Sequence, residues 1–260
     1  AITELPEYYP TRTEAAIFSE HLQAIRETLG IDFTLIDLGC GSCVKAGKLF
    51  HAGVLPARYV AVDISVDFLR DSLQNLKREL PAIDMTGLGL DFTDELRLPD
   101  DLPPERRMFF YPGSSIGNFS PREAGAFLKR LAGQMDASGG LLIGVDLIKE
   151  KSLLDAAYDD PLGVTAAFNR NLLRHVNARL EADFAIPDWR HVAFFNEREA
   201  RIEMHLEARR DLEAAWPDGA GRRVRRFATG ERIHTENSYK YSPQGFRTLL
   251  AEAGFAEIRM

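Results

Sequence analysis

The stretch TLIDLGCGS, residues 34–42, decides how the rest of the chain is read. A short apolar run without strict polar alternation suits a strand buried on both faces of a parallel sheet. The two glycines that follow, Gly39 and Gly41, suit a turn where backbone comes close to a ligand. Four more runs of this kind lie further along: RYVAVDIS (58–65), MTGLGLDF (85–92), RRMFFYPGSS (106–115) and GGLLIGVDLI (139–148). Helical spacing separates them. Leu69, Leu73, Leu76 and Leu80 share one face in 68–80, Ala124, Phe127, Leu128 and Leu131 share one in 121–134, and Phe18, Leu22, Ile25 and Leu29 predict a leading helix over 14–29. Strands alternating with helices imply right-handed crossovers and an open, doubly wound α/β sheet, which collects ligands at the carboxyl ends of its strands.

After residue 148 the rhythm changes. SLLDAAYDDPLGVTAAFNRNLLRHVNARLEADF reads as helix on both sides of a Pro-Leu-Gly interruption. HVAFFNEREARIEMHLEARRD and RRVRRFATGERIHTENSYKY read as two long alternating strands joined by the polar turn WPDGAGR, an antiparallel layer. SPQGFRTLLAEAGF returns to helix, with Ser242 as its N-cap and Gly254 as its stop. The expected organisation is a Rossmann-like sheet domain, residues 21–149 with 239–260, carrying an inserted α+β lobe, residues 150–238 with 1–20.

Composition narrows the function. With 45% apolar and 27% charged residues the chain is of globular type, and its formal charge of -7 disfavours binding to nucleic acid or to an anionic membrane. No apolar stretch approaches the ~20 residues that span a bilayer, and AITELPEYYP lacks the pattern of a signal peptide. The expectation is a monomeric, cytoplasmic protein with a small-molecule partner. Cys40 and Cys43 have C-x-x-C spacing, but without a second cysteine pair, and with six scattered histidines, no metal is expected. The basic run GRRVRRFATGER reads as the solvated face of an edge strand.

The glycine turn carries three acids with it. Asp37 precedes Gly39, Asp63 ends the second strand and Asp91 ends the third. A carboxylate at the second strand end suits two ribose hydroxyls. A dinucleotide dehydrogenase would place a third glycine where Val44 stands, and its pyrophosphate would need the helix N-terminus. The pattern here is Asp-x-Gly-x-Gly, the style of S-adenosylmethionine sites, in which Asp37 favours the cationic methionyl end and Asp91 the adenine amino group. Lys45 and Phe92 join Asp37, Gly39, Gly41, Asp63 and Asp91 as expected cofactor contacts, with S-adenosylhomocysteine as the product. Helix capping is the competing reading of each acid, with Asp94 an alternative cap near the third strand.

LPEYYPTRTEAAIF, FFYPGSSIGNFSP, AAYDDPLGVTAAFNRNLL, RIEMHL and RIHTENSYKY, in that order, resemble the ergothioneine-pathway L-histidine Nα-methyltransferase family. The resemblance implies S-adenosylmethionine-dependent methylation of the α-amine of histidine towards the trimethylated product. It implies that Asn118 and Tyr158 hold and orient the substrate carboxylate, that Glu236 and Ser238 meet the imidazole, and that Met204 and Tyr8 form walls. Strict alternation would put Glu236 on one face with His234 and Ser238, and Met204 with Ile202 and Leu206. An ion pair with Lys240 or an arginine is the competing reading of Glu236, and Phe168 reads as core. The family also carries a segment ahead of LPEYYPTR, with another tyrosine near the amine, and a strand after AGFAEIRM; neither is in these 260 residues. Another aromatic amino acid as substrate, a dehydrogenase and a non-catalytic ligand-binding module remain as alternatives.

Overall fold

Why short apolar runs become a sheet is visible at β1 (Thr34–Leu38), whose five residues are all buried and which sits in the middle of its sheet. The computed structural model describes residues 2–93 and 96–260; Asp94 lies outside them. In chain order the elements are α1 (Tyr9–Glu20), α2 (Leu22–Leu29), β1, α3 (Val44–His51), β2 (Arg58–Asp63), α4 (Val66–Glu79), β3 (Asp84–Gly89), β4 (Arg107–Tyr111), α5 (Pro121–Ala132) and β5 (Gly140–Ile143). Then follow α6 (Lys151–Tyr158), α7 (Val164–Leu180), β6 (Trp189–Asn196), β7 (Arg201–Ala208), β8 (Leu212–Asp218), β9 (Gly221–Phe227), β10 (Arg232–Tyr239) and α8 (Pro243–Ala253).

Two compact units result. One comprises Arg12–Ile116, Ser120–Asp146 and Ser242–Met260. Its five strands are all parallel in the order β3-β2-β1-β4-β5, the doubly wound α/β arrangement read from the sequence. Phe33, Leu35, Phe50, Tyr59 and Phe110 lie at the centre of its core, and Phe18, Leu22, Ile25 and Leu29 press onto it as their spacing requires. The edge strand β3 is half exposed instead of buried on both faces, because it has a neighbour on one side only. The helix expected over 14–29 starts earlier, at Tyr9, and is parted at His21 into α1 and α2; nothing in the structure explains the break. Ser120 and Glu123 close a capping box on α5, while Ser242 caps α8 through Gly245 N at 3.0 Å and the left-handed Gly254 ends it.

The other unit comprises Ala1–Thr11, Gly117–Phe119 and Leu147–Tyr241. The two strands expected after α7 are in fact five. β6 and β7 form one hairpin and β8 and β9 another, while β10 returns to β7, giving a three-stranded sheet β10-β7-β6 and a two-stranded ribbon β8-β9. The missed connections are NEREA between β6 and β7, which has no glycine or proline and bends through Ala200 at φ 51°, residues 209–211 between β7 and β8, and the segment 228–231 between β9 and β10. Trp189, Leu206, Leu173 and Phe227 make one core cluster; Leu154, Tyr158, Phe195, Ile202 and Met204 make a second, with Tyr8 and Tyr9 against it. Among the described residues no helix is long and apolar enough to cross a membrane.

Candidate active site

The turn after β1 is pinned to β2, since Gly39 N and Cys40 N both donate to Val62 O at 2.9 and 3.2 Å. Gly39 and Gly41 both adopt left-handed backbone, at φ 69° and 52°, which a side chain disfavours. A Cβ on Gly41 would meet nothing within 4 Å, so the turn opens into space; one on Gly39 would lie 3.5 Å from the Phe92 ring, which therefore flanks the opening.

Asp63 Oδ2 accepts from Gly41 N at 3.0 Å and Oδ1 from Ser65 N at 2.9 Å. The acid thus shapes the turn and begins α4 while each oxygen keeps a lone pair for a ligand. Asp91 accepts from Thr93 N and Oγ1 at 2.9 and 2.5 Å, bonds that hold its carboxyl below the usual range; it closes a local turn and is exposed. Asp37 differs from both. It is buried, takes a 2.8 Å bond from Tyr59 OH on Oδ2, and has no partner at Oδ1. Burial pushes its pKa up to about 7, against the lowering by the Tyr59 bond and Lys45 and with a small rise from Asp63.

Sequence reading missed Glu14. This α1 residue accepts from Lys45 Nζ at 2.5 Å with one oxygen and from Gly113 N with the other. Gly113 adopts left-handed backbone at φ 81°, which a side chain disfavours, and Lys45 Nζ lies where its Cβ would be. Glu14 carries no motif signal, because the contact spans 31 residues in one direction and 99 in the other.

In the other unit a cavity of about 220 Å³ is lined by Tyr8, Tyr158, Thr165, Phe168, Met204 and Glu236, with Ile2, Thr3 and Ala157. Phe168, expected in the core, is 57% exposed and belongs to this wall instead. Tyr8 meets the Tyr158 ring edge-on at 6.0 Å. Tyr158 OH donates to Ser238 Oγ at 3.0 Å, and the buried Lys240 Nζ donates to both, at 3.0 and 2.9 Å. Sequence reading also left Lys240 out of the site; the competing reading, an ion pair between it and Glu236, is not what the structure shows, since Lys240 Nζ donates to Tyr158 and Ser238 and no ion pair or hydrogen bond joins it to Glu236. Asn118 ends a short 3-10 helix, Ser115–Asn118, is exposed, and is not part of the cavity wall.

Glu236 stands apart electrostatically. Its half-buried carboxylate has no hydrogen-bond or ion-pair partner among the described residues, and burial raises its pKa despite the opposing field of Lys240. Its orientation comes from a bulge. His234 pairs with His205 and Glu236 with Met204, so Thr235 is an extra residue, fixed by its Oγ1 donating to Met204 O at 2.9 Å. The bulge turns Glu236 and Ser238 onto the face of Met204 and Ile202 and leaves His234 on the opposite one, correcting the expected alternation of β10.

The arginine-rich ribbon offers no open basic surface: Arg222 pairs with Asp183, Arg223 with Asp218, Arg225 with Glu231 and Arg226 with Glu213.

A parallel sheet ordered β3-β2-β1-β4-β5, with a glycine turn after β1 and acids at the ends of β2 and β3, is a Rossmann-like methyltransferase architecture. Asp37's orphaned oxygen, the open space over Gly41 and the two carboxylates fit a cationic adenosyl ligand. The profile of the family described as "Histidine-specific methyltransferase, SAM-dependent" matches residues 1–260, and the chain belongs to that family. It is similar to the histidine N-alpha-methyltransferase of Mycobacterium tuberculosis (strain CDC 1551 / Oshkosh), 40% identical over 99% of this chain and 80% of the relative, and to that of Mycolicibacterium smegmatis, 39% identical over 98% and 79%. Ergothioneine biosynthesis protein 1 of Schizosaccharomyces pombe is 29% identical over 98% of this chain and 34% of its own length.

Proposed function

We propose that this chain methylates the α-amine of L-histidine with S-adenosylmethionine, towards Nα-trimethylhistidine in ergothioneine biosynthesis, as a monomeric cytoplasmic enzyme. The observation that carries the choice of substrate is Glu236, a desolvated carboxylate without a hydrogen-bond or ion-pair partner among the described residues, in the wall of an amino-acid-sized cavity. An acid in that state calls for a donor from a ligand.

Ser238 supplies the complement. Its oxygen already accepts from Tyr158 and Lys240, so its own hydrogen is the group left to offer. Glu236 accepts from the wall, and Ser238, on the same face of the strand but outside the cavity lining, is left to donate, a pair that matches a neutral imidazole with one N–H and one bare nitrogen and does not match an indole or phenyl ring. Tyr158, fixed by Lys240, and Asn118 orient the α-carboxylate, with Met204 and Tyr8 as walls.

Asp63 takes the ribose hydroxyls, Asp91 and Phe92 the adenine end, and Lys45, steadied by Glu14, the methionyl carboxylate. When bound, S-adenosylmethionine supplies a methyl group on a sulfonium, which a neutral amine displaces in line. Little covalent help is required of the protein, and positioning supplies up to roughly 7–11 kcal/mol in well-oriented systems.

Mass spectrometry of histidine incubated with the protein and S-adenosylmethionine tests the reading. Products one, two and three methyl groups heavier are expected; methylation of tryptophan in preference to histidine refutes it.

A further inference from the structure

On the face of the three-stranded sheet opposite Glu236 and Met204, a second constellation has no part in the reaction above. β7 sets Glu203 and His205 two residues apart on one face, and the register places His234 of β10 directly opposite His205. One donor atom from each of the three lies within 4.8 Å of the other two. We propose that Glu203, His205 and His234 bind a divalent transition-metal ion of the zinc class.

The donor set is two imidazoles and a carboxylate, the combination that favours zinc, cobalt and nickel over magnesium or calcium and leaves a position for water. Its rigid half is already built. His205 is 8% exposed and sandwiched between Phe194, with centroids 5.5 Å apart and 6° between planes, and His234 at 4.6 Å. Its Nε2 faces Glu203 Oε2 at 3.1 Å, so two of the three donor atoms already meet and an ion would enter between them in place of the shared proton. Glu203 is held by Asn196 at 2.9 Å and Arg201 at 2.8 Å.

The other half is His234, which is exposed; its Nε2 lies 3.1 Å from Glu236 O, a contact it would give up to turn toward the ion from its stack on His205. Arg201 competes for Glu203, and Arg232, paired with Glu207 at 2.8 Å, adds positive charge nearby. Both oppose a cation, so micromolar and not nanomolar affinity follows. Because Thr235 and Glu236 come directly after His234, an ion here would tie β10 to β7 at the bulge that aims Glu236.

The test is a titration of tag-free, chelator-treated protein with Co²⁺, followed by visible absorption and by competition with Zn²⁺. One equivalent should bind with a d–d spectrum and without the near-ultraviolet thiolate band that Cys40 and Cys43 would give. His234→Ala, an exposed position whose change leaves the core intact, should weaken binding at least about tenfold while the melting temperature without metal is unchanged. Glu203→Gln is the second variant and should weaken it similarly. No saturable binding below about 100 µM, a thiolate band, or equal affinity in His234→Ala overturns the proposal.

Discussion

Replacing Glu236 by Gln distinguishes a carboxylate that waits for a ligand from one that supports the fold, because the two roles predict opposite changes in stability. The carboxylate is half-buried, has no hydrogen-bond or ion-pair partner among the described residues, and has a pKa raised by burial. A folded-state pKa above the unfolded one means that the proton binds more tightly to the native protein. The stability linked to that proton is fully present below the unfolded value of 4.5 and is lost as pH rises through the folded value. At pH 8 the ionised group is therefore a net cost, and Glu236→Gln should melt no lower than the parent, with any advantage shrinking as pH falls toward 4.5. Ligand binding moves the other way. A hydrogen bond to a charged group contributes about 1.5–3 kcal/mol, or roughly tenfold to 150-fold in affinity. Gln keeps an acceptor oxygen but loses the charge and should fall near the lower figure; Glu236→Ala loses both and should approach the upper. Calorimetric titration of histidine into the protein saturated with S-adenosylhomocysteine reads the affinity, and scanning calorimetry at pH 5 and 8 reads the stability. A variant destabilised by more than about 1 kcal/mol at pH 8 with histidine affinity unchanged would show that Glu236 is structural.

Three further outcomes are expected. Asp63→Asn, which removes the charge beside Gly41 N, should weaken S-adenosylmethionine binding by about one to two orders of magnitude in a calorimetric titration; unchanged affinity would take Asp63 out of the site. Histamine, which has no carboxylate for Asn118 and Tyr158, should be turned over at least about 100-fold less efficiently than histidine; comparable kcat/KM would show that the carboxylate is not read. Asp37, with a folded pKa of about 7 against 3.8, destabilises the native state progressively as pH rises between those values, by on the order of 4 kcal/mol at most, so Asp37→Asn should melt higher than the parent at pH 8 and lose that advantage by pH 4. Parallel melting curves across that range would mean that the carboxyl is not held protonated.

What could be read from the sequence followed the reach of each signal. Period and punctuation are local, so the five sheet strands, the α8 cap at Ser242 and the interruption between α6 and α7 were legible. The β6–β7 turn was not, because Asn196 to Ala200 contain neither glycine nor proline and the bend rests on one strained alanine. Phe168 reads as core in a helical segment that suggests packing, yet aromatic residues also line cavities, and periodicity cannot tell a protein wall from a ligand wall. Glu14 and Lys240 were invisible as site residues for a related reason: their partners are set by tertiary contacts, at Gly113 and at Tyr158.

The bulge at Thr235 shows the same limit at its sharpest. In a strand of strict period two, His234, Glu236 and Ser238 share a face, and a pocket read from that pattern would hold an imidazole against a histidine. One inserted residue breaks the pattern. His234 is sent to stack on His205, while Glu236 and Ser238 stay beside Met204 and Ile202. The acceptor and donor that would read an imidazole are thereby kept clear of a competing protein imidazole, which could otherwise have satisfied Glu236 from within the chain. Substrate choice in this reading depends as much on the register of two paired strands as on the identity of the residues they carry, and a change at Thr235 that restored the period would turn Glu236 away from the cavity without altering any residue that lines it.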